Sequence, residues 1–298
     1  MKLLITGAFS WTEEMKQILR NAGWELIFTQ REDSELPAEA YEAEAAVCNW
    51  LFVNQDIRKF PNLKTVQLLS AGLDRVPLEY IREQGISLYN ARGVYSVPMA
   101  EFAVAGVLQL YKGSRFFAEN QKTHRWEKKR DLLELFGKRV CVVGTGSVGS
   151  ETAKRFRAFT DEVYGVDLYP TENAVFQNIF HLKDLDEQLT VSDIVILTLP
   201  LTDETRGMFD RTRFALMKSG AVLVNIARGG IVDEAALLEA VDTKLLGAVM
   251  DVFSVEPLSP DSPLWDKENV IISPHNSFVS QGNDRRMWDV IRKNLTLR

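Results

Sequence analysis

The chain has 298 residues, of which 46% are hydrophobic and 26% charged, and its formal net charge is -6. At roughly 150 residues per domain this length favours about two domains. The acidic balance argues against a general nucleic-acid surface, which needs a basic face to neutralise phosphates. No apolar run reaches the roughly 18 residues of a membrane span, and MKLLITGAF lacks a signal-peptide layout. The composition therefore predicts a cytoplasmic protein with no membrane or nucleic-acid partner.

Short apolar runs alternate with helical patterns at the start of the chain, from residue 1 to about residue 94. Between the first two runs, Ser10 and Glu13 form a capping-box signature that predicts a helix start, and Gly23 ends that helix. Strands that alternate with helices imply crossover connections and a mostly parallel sheet. The predicted strands are Lys2–Thr6, Glu25–Thr29, Ala45–Asn49, Thr65–Ser70 and Ile86–Asn90.

One long helix is predicted from about Val97 to Glu119, with apolar residues spread around it, which indicates burial on more than one side. The charged stretch His124–Gly137 is predicted to be irregular, with Trp126 as its anchor. The chain is predicted to close with an amphipathic helix at Asn283–Leu297.

A second alternating series begins at Lys138 and predicts another doubly wound parallel sheet. Its predicted strands are Arg139–Val143, Glu162–Val166, Asn178–His181, Asp193–Leu199, Ala221–Ile226, Gly247–Val252 and Val270–Ser273. Its predicted helices are Gly149–Phe159, Arg211–Met217 and Asp233–Val241.

A glycine-rich sequence, Gly144-Thr145-Gly146-Ser147-Val148-Gly149, lies between a predicted strand and a predicted helix. In this setting the glycines allow a tight turn, a close approach of a pyrophosphate and close helix–strand packing. Asp167 ends the next strand, where a carboxylate accepts hydrogen bonds from the adenosine ribose and repels a 2′-phosphate. The sequence therefore predicts NAD as the cofactor. The alternative is a glycine-rich turn without a ligand.

Three side chains with complementary chemistry follow three different predicted strands of the second series: Arg228, Glu256 and His275. Ligands of open parallel sheets bind outside the carboxyl ends of the strands. A guanidinium suits a carboxylate, an imidazolium can protonate a developing alkoxide, and a carboxylate can orient the ring. Taken singly, each is more often structural, as a surface ion pair or a packed histidine. Together they predict hydride transfer between a nicotinamide and a small 2-hydroxy or 2-oxo acid. The two cysteines look like core residues and no metal site is predicted.

At these residues the chain resembles the D-isomer-specific 2-hydroxyacid dehydrogenases. The motifs that carry the resemblance are VCVVGTGSVG, NIARGGIVDEAAL, GAVMDVFSVEPL and VIISPH, with SAGLD and VPMAEFAV. The resemblance implies a homodimer in which a Rossmann cofactor domain is inserted into a flavodoxin-like substrate domain. It places the substrate domain at residues 1–94 and 277–298 and the NAD domain at residues 95–276. It also implies specificity for the D-isomer.

The resemblance also implies individual roles. Arg228 binds substrate, His275 performs acid/base chemistry and Glu256 pairs with that histidine. The cofactor contacts would be the residues of the glycine loop, above all Ser147 and Val148, with Asp167, Thr205, Ile226, Ala227, Arg228, Asp251 and His275. Asp251 would meet the nicotinamide carboxamide. Backbone N–H groups of Ser70, Ala71 and Gly72 would hold the substrate carboxylate.

One departure from the family pattern concerns the segment after the histidine, Asn276-Ser277-Phe278, where a small apolar pair is usual. We expect this segment to reshape the pocket beside His275. Two other functions stay open at this point. One is an NAD-sensing dimeric scaffold or corepressor on the same fold, and the other is a formate dehydrogenase.

Overall fold

The computed structural model describes residues 1–296, and these form two compact units. The first unit comprises Met1–Tyr95 and the segment from Ser280 onward, and the second comprises Ser96–Val279. The domain boundaries that the family resemblance implies, after residues 94 and 276, remain predictions. The predicted end of the last helix, at Leu297, lies outside the described residues.

The elements alternate along the described chain as the sequence predicts. The strands are β1 (Lys2–Thr6), β2 (Glu25–Thr29), β3 (Ala45–Cys48), β4 (Thr65–Leu68), β5 (Ser87–Tyr89), β6 (Val140–Val143), β7 (Val163–Asp167), β8 (Ile179–His181), β9 (Ile194–Leu197), β10 (Val222–Asn225), β11 (Gly247–Met250) and β12 (Val270–Ile272). The α-helices are α1 (Glu13–Asn21), α2 (Leu51–Asn54), α3 (Leu78–Glu83), α4 (Ser96–Tyr111), α5 (Ser114–Lys122), α6 (Ser147–Phe156), α7 (Leu185–Val191), α8 (Arg211–Leu216), α9 (Glu234–Thr243) and α10 (Asn283–Thr296).

The first unit is a five-stranded parallel sheet in the order β2-β1-β3-β4-β5, a flavodoxin-like order. Helix α10 returns to this unit, where Met287, Ile291 and Leu295 join the core cluster of β1. The indole N–H of Trp24 donates to the Leu295 carbonyl at 2.9 Å. The terminal helix is therefore part of the core of this unit.

The second unit is a seven-stranded parallel sheet in the order β12-β11-β10-β9-β6-β7-β8. Its central strands are fully buried, and they are apolar except for Asn225 at the end of β10, as in sheets that carry helices on both faces. The chain order reverses between β6 and β9, which is the switch point where ligands of such sheets bind. The predicted fold class, two parallel-sheet α/β domains, is confirmed.

Two predictions about helices are wrong. The expected single helix from Val97 to Glu119 is two helices, because Gly113 adopts a left-handed conformation (φ 60°) between α4 and α5. The capping box at Ser10 does not form. Helix α1 begins one residue after Thr12, whose hydroxyl accepts the Met15 N–H at 3.2 Å, and this satisfies an orphan donor of the first turn.

The irregular stretch before β6 is confirmed as irregular, but its expected anchor is wrong, because Trp126 is 99% exposed. Several predicted strands are one or two residues too long, since polar residues such as Asn49 and Ser70 lie in the loops beyond the sheet. Within residues 1–296, every helix is too short or too polar to span a bilayer. The same residues contain no cluster of three or more His, Cys, Asp or Glu side chains placed for a metal ion.

Candidate active site

The glycine loop between β6 and α6 is packed too tightly for side chains at two of its glycines. Gly144 has a φ of 99°, which favours glycine. A Cβ at Gly149 would lie 1.9 Å from the Gly144 carbonyl oxygen, so helix and turn touch directly. The Thr198 hydroxyl, at the end of β9, donates to that same carbonyl at 2.6 Å. The loop is thus fixed by contacts within the unit.

Gly146 differs from its neighbours because nothing lies within 4 Å of the position that its Cβ would occupy. It is the N-cap of α6, and among the described residues no side chain caps this helix start. The first N–H groups of a helix, together with its dipole, favour an anion. Space beside Gly146 and uncapped N–H groups next to it fit a dinucleotide pyrophosphate.

Asp167 ends β7, beside this loop. Its Oδ2 accepts the Thr145 N–H at 2.6 Å and the Thr145 hydroxyl at 3.0 Å, and its Oδ1 accepts the Tyr169 N–H at 3.0 Å. An ionised carboxylate has about four acceptor sites, so capacity remains for a ribose hydroxyl. The carboxylate also ties the glycine loop to β7, a structural role that the sequence did not reveal.

Arg228 follows β10 and is exposed, with its guanidinium donating to the Ala227 carbonyl at 2.7 Å. The buried Asn225 side chain shapes this turn, since it accepts the Ala227 N–H at 3.1 Å and donates to the Arg228 carbonyl at 3.2 Å. A Cβ at Gly229 would lie 1.8 Å from the backbone carbonyl carbon of Phe253. The loops after β10 and β11 are therefore in backbone contact beside Arg228.

His275 and Glu256 come together at the same edge of the sheet. The Nδ1 atom of His275 lies 2.8 Å from Oε2 of Glu256, and the other carboxylate oxygen accepts the Phe253 N–H at 3.0 Å. An ionised carboxylate only accepts hydrogen bonds, so Nδ1 carries the proton and Nε2 faces away from the pair. The histidine is 42% and the glutamate 36% exposed at their side chains, so a ligand can reach the ring.

Ser147 and Val148, in the first turn of α6, are half-buried, and the four other predicted residues of this unit are buried. The Thr205 hydroxyl donates to the Pro200 carbonyl at 2.8 Å and accepts the Thr202 N–H at 2.7 Å. Ile226 and Ala227 are 1% and 5% exposed. Asp251 is 1% exposed, and its carboxylate accepts hydrogen bonds from Ser273 and Ser277.

Ser70, Ala71 and Gly72 form a loop after β4, in the first unit. The Ser70 hydroxyl donates to the Gly72 carbonyl at 2.9 Å, and the Asn90 side chain donates to the Ala71 carbonyl at 2.6 Å. Among the described hydrogen bonds, none uses the N–H group of these three residues as donor. Successive backbone N–H groups of this kind can hold an anion.

Comparison with known families bears directly on this arrangement. Residues 3–178 match the catalytic domain of the D-isomer specific 2-hydroxyacid dehydrogenases, and residues 104–277 match the NAD binding domain of the same family. The chain belongs to this family. The match to the NAD binding domain covers the glycine loop, Asp167, Arg228, Glu256 and His275.

Two curated members and one solved structure illustrate the similarity. D-3-phosphoglycerate dehydrogenase of Archaeoglobus fulgidus is 35% identical over 92% of the chain, which spans 53% of that relative's length. (S)-sulfolactate dehydrogenase of Chromohalobacter salexigens is 33% identical over 81% of each sequence. D-lactate dehydrogenase of Aquifex aeolicus, crystallised with NAD and lactic acid, has a TM-score of 0.76 at 27% identity, covering 98% and 93% of the two chains.

In this member of the 2-hydroxyacid dehydrogenase family, the sequence motifs did not indicate several residues whose hydrogen bonds stabilise the site. Thr198 fixes the glycine loop, Asn225 fixes the Arg228 turn, and Ser273 and Ser277 surround Asp251. Each lies at or just beyond the carboxyl end of a predicted strand, which is the one signal that could have singled it out.

Proposed function

We propose that this protein is an NAD-dependent D-2-hydroxyacid dehydrogenase that interconverts a small 2-hydroxy acid and the corresponding 2-oxo acid. The hydrogen-bonded His275–Glu256 pair, at the sheet edge that also presents Arg228 and the glycine loop, carries the proposal. Relatives named for phosphoglycerate, sulfolactate and lactate support a 2-hydroxy acid as substrate.

Each charged group has one task in the reductive direction. The cofactor, when bound, supplies the hydride that adds to C2 of the oxo acid. Arg228 binds the substrate carboxylate through its planar pair of donors. The substrate contact expected of the Ser70, Ala71 and Gly72 N–H groups stays a prediction. His275 gives a proton from Nε2 to the carbonyl oxygen as negative charge develops there. Oxidation reverses both transfers, and the ring then accepts the hydroxyl proton.

Glu256 does not exchange protons with substrate in this scheme. Its carboxylate holds the Nδ1–H of His275, which fixes the tautomer and aims Nε2 at the substrate. The residues proposed for cofactor contact are those of the glycine loop with Asp167, and the strand-end residues Ile226–Arg228. The buried hydroxyl of Thr205 is used inside its own loop, so this residue is proposed to shape the cofactor site.

The test is NADH oxidation with a panel of 2-oxo acids, repeated with NADPH. General acid catalysis contributes about 10²–10⁴-fold, so His275→Ala should lose turnover by that factor and still bind NADH. His181→Ala is the matched control, because His181 only caps a short turn through Lys183. Near-normal turnover by His275→Ala would remove the histidine from the mechanism.

The two alternative functions give different results in the same assay. NADH binding without turnover of any oxo acid would favour the scaffold or corepressor. Formation of carbon dioxide from formate and NAD would favour a formate dehydrogenase. Turnover with NADPH but not with NADH would overturn the predicted preference for NAD.

A homodimer is proposed from exposed aromatic surface on the second unit. Trp126 is 99% exposed, and Phe117 of helix α5, which lines the same surface pocket, is 39% exposed. Large apolar side chains that lie together on a surface mark an interaction site. We propose that a second copy of the chain covers this surface.

Light scattering and sedimentation at micromolar concentration test the dimer. Trp126→Ala should shift the equilibrium toward the monomer, whereas Tyr169→Ala should not, since Tyr169 is an equally solvent-exposed aromatic (79%) outside this surface. A wild-type monomer at these concentrations would refute the proposal. The cytoplasmic location stays a prediction.

A further inference from the structure

The carboxylate of Asp251 is surrounded by donors from a single short segment, residues 273–277. The Ser273 hydroxyl donates to Oδ1 and the Ser277 hydroxyl donates to Oδ2 at 2.5 Å. The N–H of Asn276 donates to Oδ1 at 2.8 Å, and the N–H of Ser277 reaches both oxygens at 3.0 and 3.1 Å. We call Asp251, Ser273, Asn276 and Ser277 the Asp251 clamp.

These four donor groups match the capacity of the carboxylate, which has about four lone-pair sites. Asp251 is also 1% exposed and Ser277 3% exposed, so the hydrogen bonds lie away from solvent. The carboxylate therefore holds the segment that surrounds it.

That segment contains His275. The His275 N–H donates to the Asp251 backbone carbonyl at 2.7 Å, and the backbone of His275 is left-handed, with a φ of 51°. This conformation costs a residue with a Cβ free energy and persists where surrounding contacts impose it. The Asp251 clamp supplies those contacts on both sides of the histidine, through Ser273 before it and Ser277 after it.

We propose that Asp251 and Ser277 are positioning residues, which hold His275 in this backbone conformation so that its Nδ1 meets Glu256. The proposal rests on the function proposed for His275. It assigns a purpose to the Asn276-Ser277-Phe278 departure from the family pattern, because a small apolar residue at position 277 would lack the hydroxyl that binds Oδ2.

Removing the Ser277 hydroxyl leaves Oδ2 with one long N–H contact and frees the segment after His275. A displacement of about 1 Å at a catalytic group can cost about 10²-fold in rate. Ser277→Ala should therefore lower kcat by about 10- to 100-fold. NADH affinity should stay within about twofold, since Ser277→Ala leaves in place both the Asp251 carboxylate and the glycine loop between β6 and α6.

The experiment compares Ser277→Ala with Ser192→Ala, a matched control. Ser192 is also a buried serine of the second unit, and its hydroxyl donates to the Gln188 carbonyl at 2.6 Å, between α7 and β9. Steady-state kinetics and NADH fluorescence titration give kcat, KM and the cofactor Kd. The Nδ1–H proton resonance of His275, in protein carrying ¹⁵N-histidine, reports its hydrogen bond to Glu256 without turnover.

Support requires that Ser277→Ala lose this resonance and fall in kcat while NADH still binds, and that Ser192→Ala change neither. If Ser277→Ala does not fold, Ser273→Ala removes the donor on the other oxygen and should have the same effect. Retention of the resonance and of kcat in a folded Ser277→Ala variant would overturn the proposal. A wild-type protein that reduces no oxo acid would refute the proposed function, while the resonance would still test the Asp251 clamp.

Discussion

The glycine loop offers a substitution that should separate cofactor binding from folding, Gly146→Ala. Gly146 has φ -63° and ψ -161°, a conformation open to alanine, and nothing in the protein lies within 4 Å of the new Cβ. Replacing glycine where the backbone is compatible stabilises a protein by about 0.4–1 kcal/mol, because the unfolded chain loses freedom. The variant should therefore be as stable as the wild type or slightly more so.

The same methyl group should weaken NADH binding. It would fill the space beside the N–H groups at the start of α6, where the pyrophosphate is expected to lie. Losing one hydrogen bond to a charged group costs about 1.5–3 kcal/mol. At 1.4 kcal/mol per tenfold change, the Kd for NADH should rise by roughly 10- to 150-fold.

Gly149→Ala is the contrasting variant in the same loop. Its Cβ would lie 1.9 Å from the Gly144 carbonyl oxygen, so the backbone must move by roughly 1 Å, and overpacking of this kind costs about 1–3 kcal/mol or more. Urea unfolding and NADH fluorescence titration measure both effects. If Gly146→Ala binds NADH with the wild-type Kd, the proposed position of the cofactor pyrophosphate is wrong. If Gly146→Ala does not fold, the space beside Gly146 is not free to accept a side chain.

Three further substitutions or treatments test other parts of the second unit. Gly229→Ala should abolish turnover and lower the urea midpoint, because its Cβ would lie 1.8 Å from the backbone of the loop after β11. A Cβ at Gly230 would meet the ends of two flexible side chains, Leu201 at 3.1 Å and Arg206 at 3.7 Å, so Gly230→Ala should stay active. Equal activity of the two variants would contradict this. Burial is the largest influence on the pKa of Asp193 and raises it, but hydrogen bonds from Lys218 and the Arg139 N–H, with the charges of Lys218 and Lys138, together lower the pKa below its usual value. The carboxylate therefore stabilises the fold above its unfolded pKa and loses this effect as pH falls through the folded pKa. Asp193→Asn should lose about 1–3 kcal/mol at pH 7 and progressively less in acid, and a loss that does not depend on pH would exclude the ion pair as its cause. Burial raises the pKa of the Cys141 thiol to about 12, so Ellman's reagent should label it only after unfolding, and fast labelling of the native protein would show that β6 opens.

Much of the fold follows from one feature of the sequence. Buried strands of parallel sheets read as continuous apolar runs, as VCVV and IVIL do in β6 and β9, so their number and order along the chain were predictable. The ends of the strands were not predictable, because polar residues such as Asn49 and Ser70 can stand either at the end of a strand or in the loop that follows it. The break at Gly113 was missed because an isolated glycine within a helical pattern is usually tolerated.

The candidate site was also predictable only in part. Arg228, Glu256 and His275 could be identified from the residue types that follow the strands, since ligands of these sheets bind outside the carboxyl ends of the strands. The left-handed backbone of His275 was not predictable, because no local rule assigns that conformation to histidine. The Asp251 hydrogen bonds were equally hidden, as they depend on where a later segment passes a buried strand end.

The register of the sheet explains why these residues come together. Asn225 pairs with Met250 across β10 and β11, and Met250 pairs with Ile272 across β11 and β12. Three parallel strands thus end level with one another, and the residues that follow them leave the sheet at the same edge. A slip of one strand relative to its neighbours would move its loop along the strand axis by about 3.3 Å per residue, beyond the reach of a hydrogen bond such as the 2.8 Å contact between His275 and Glu256. The buried apolar side chains that fix strand register therefore also fix the geometry of the proton donor.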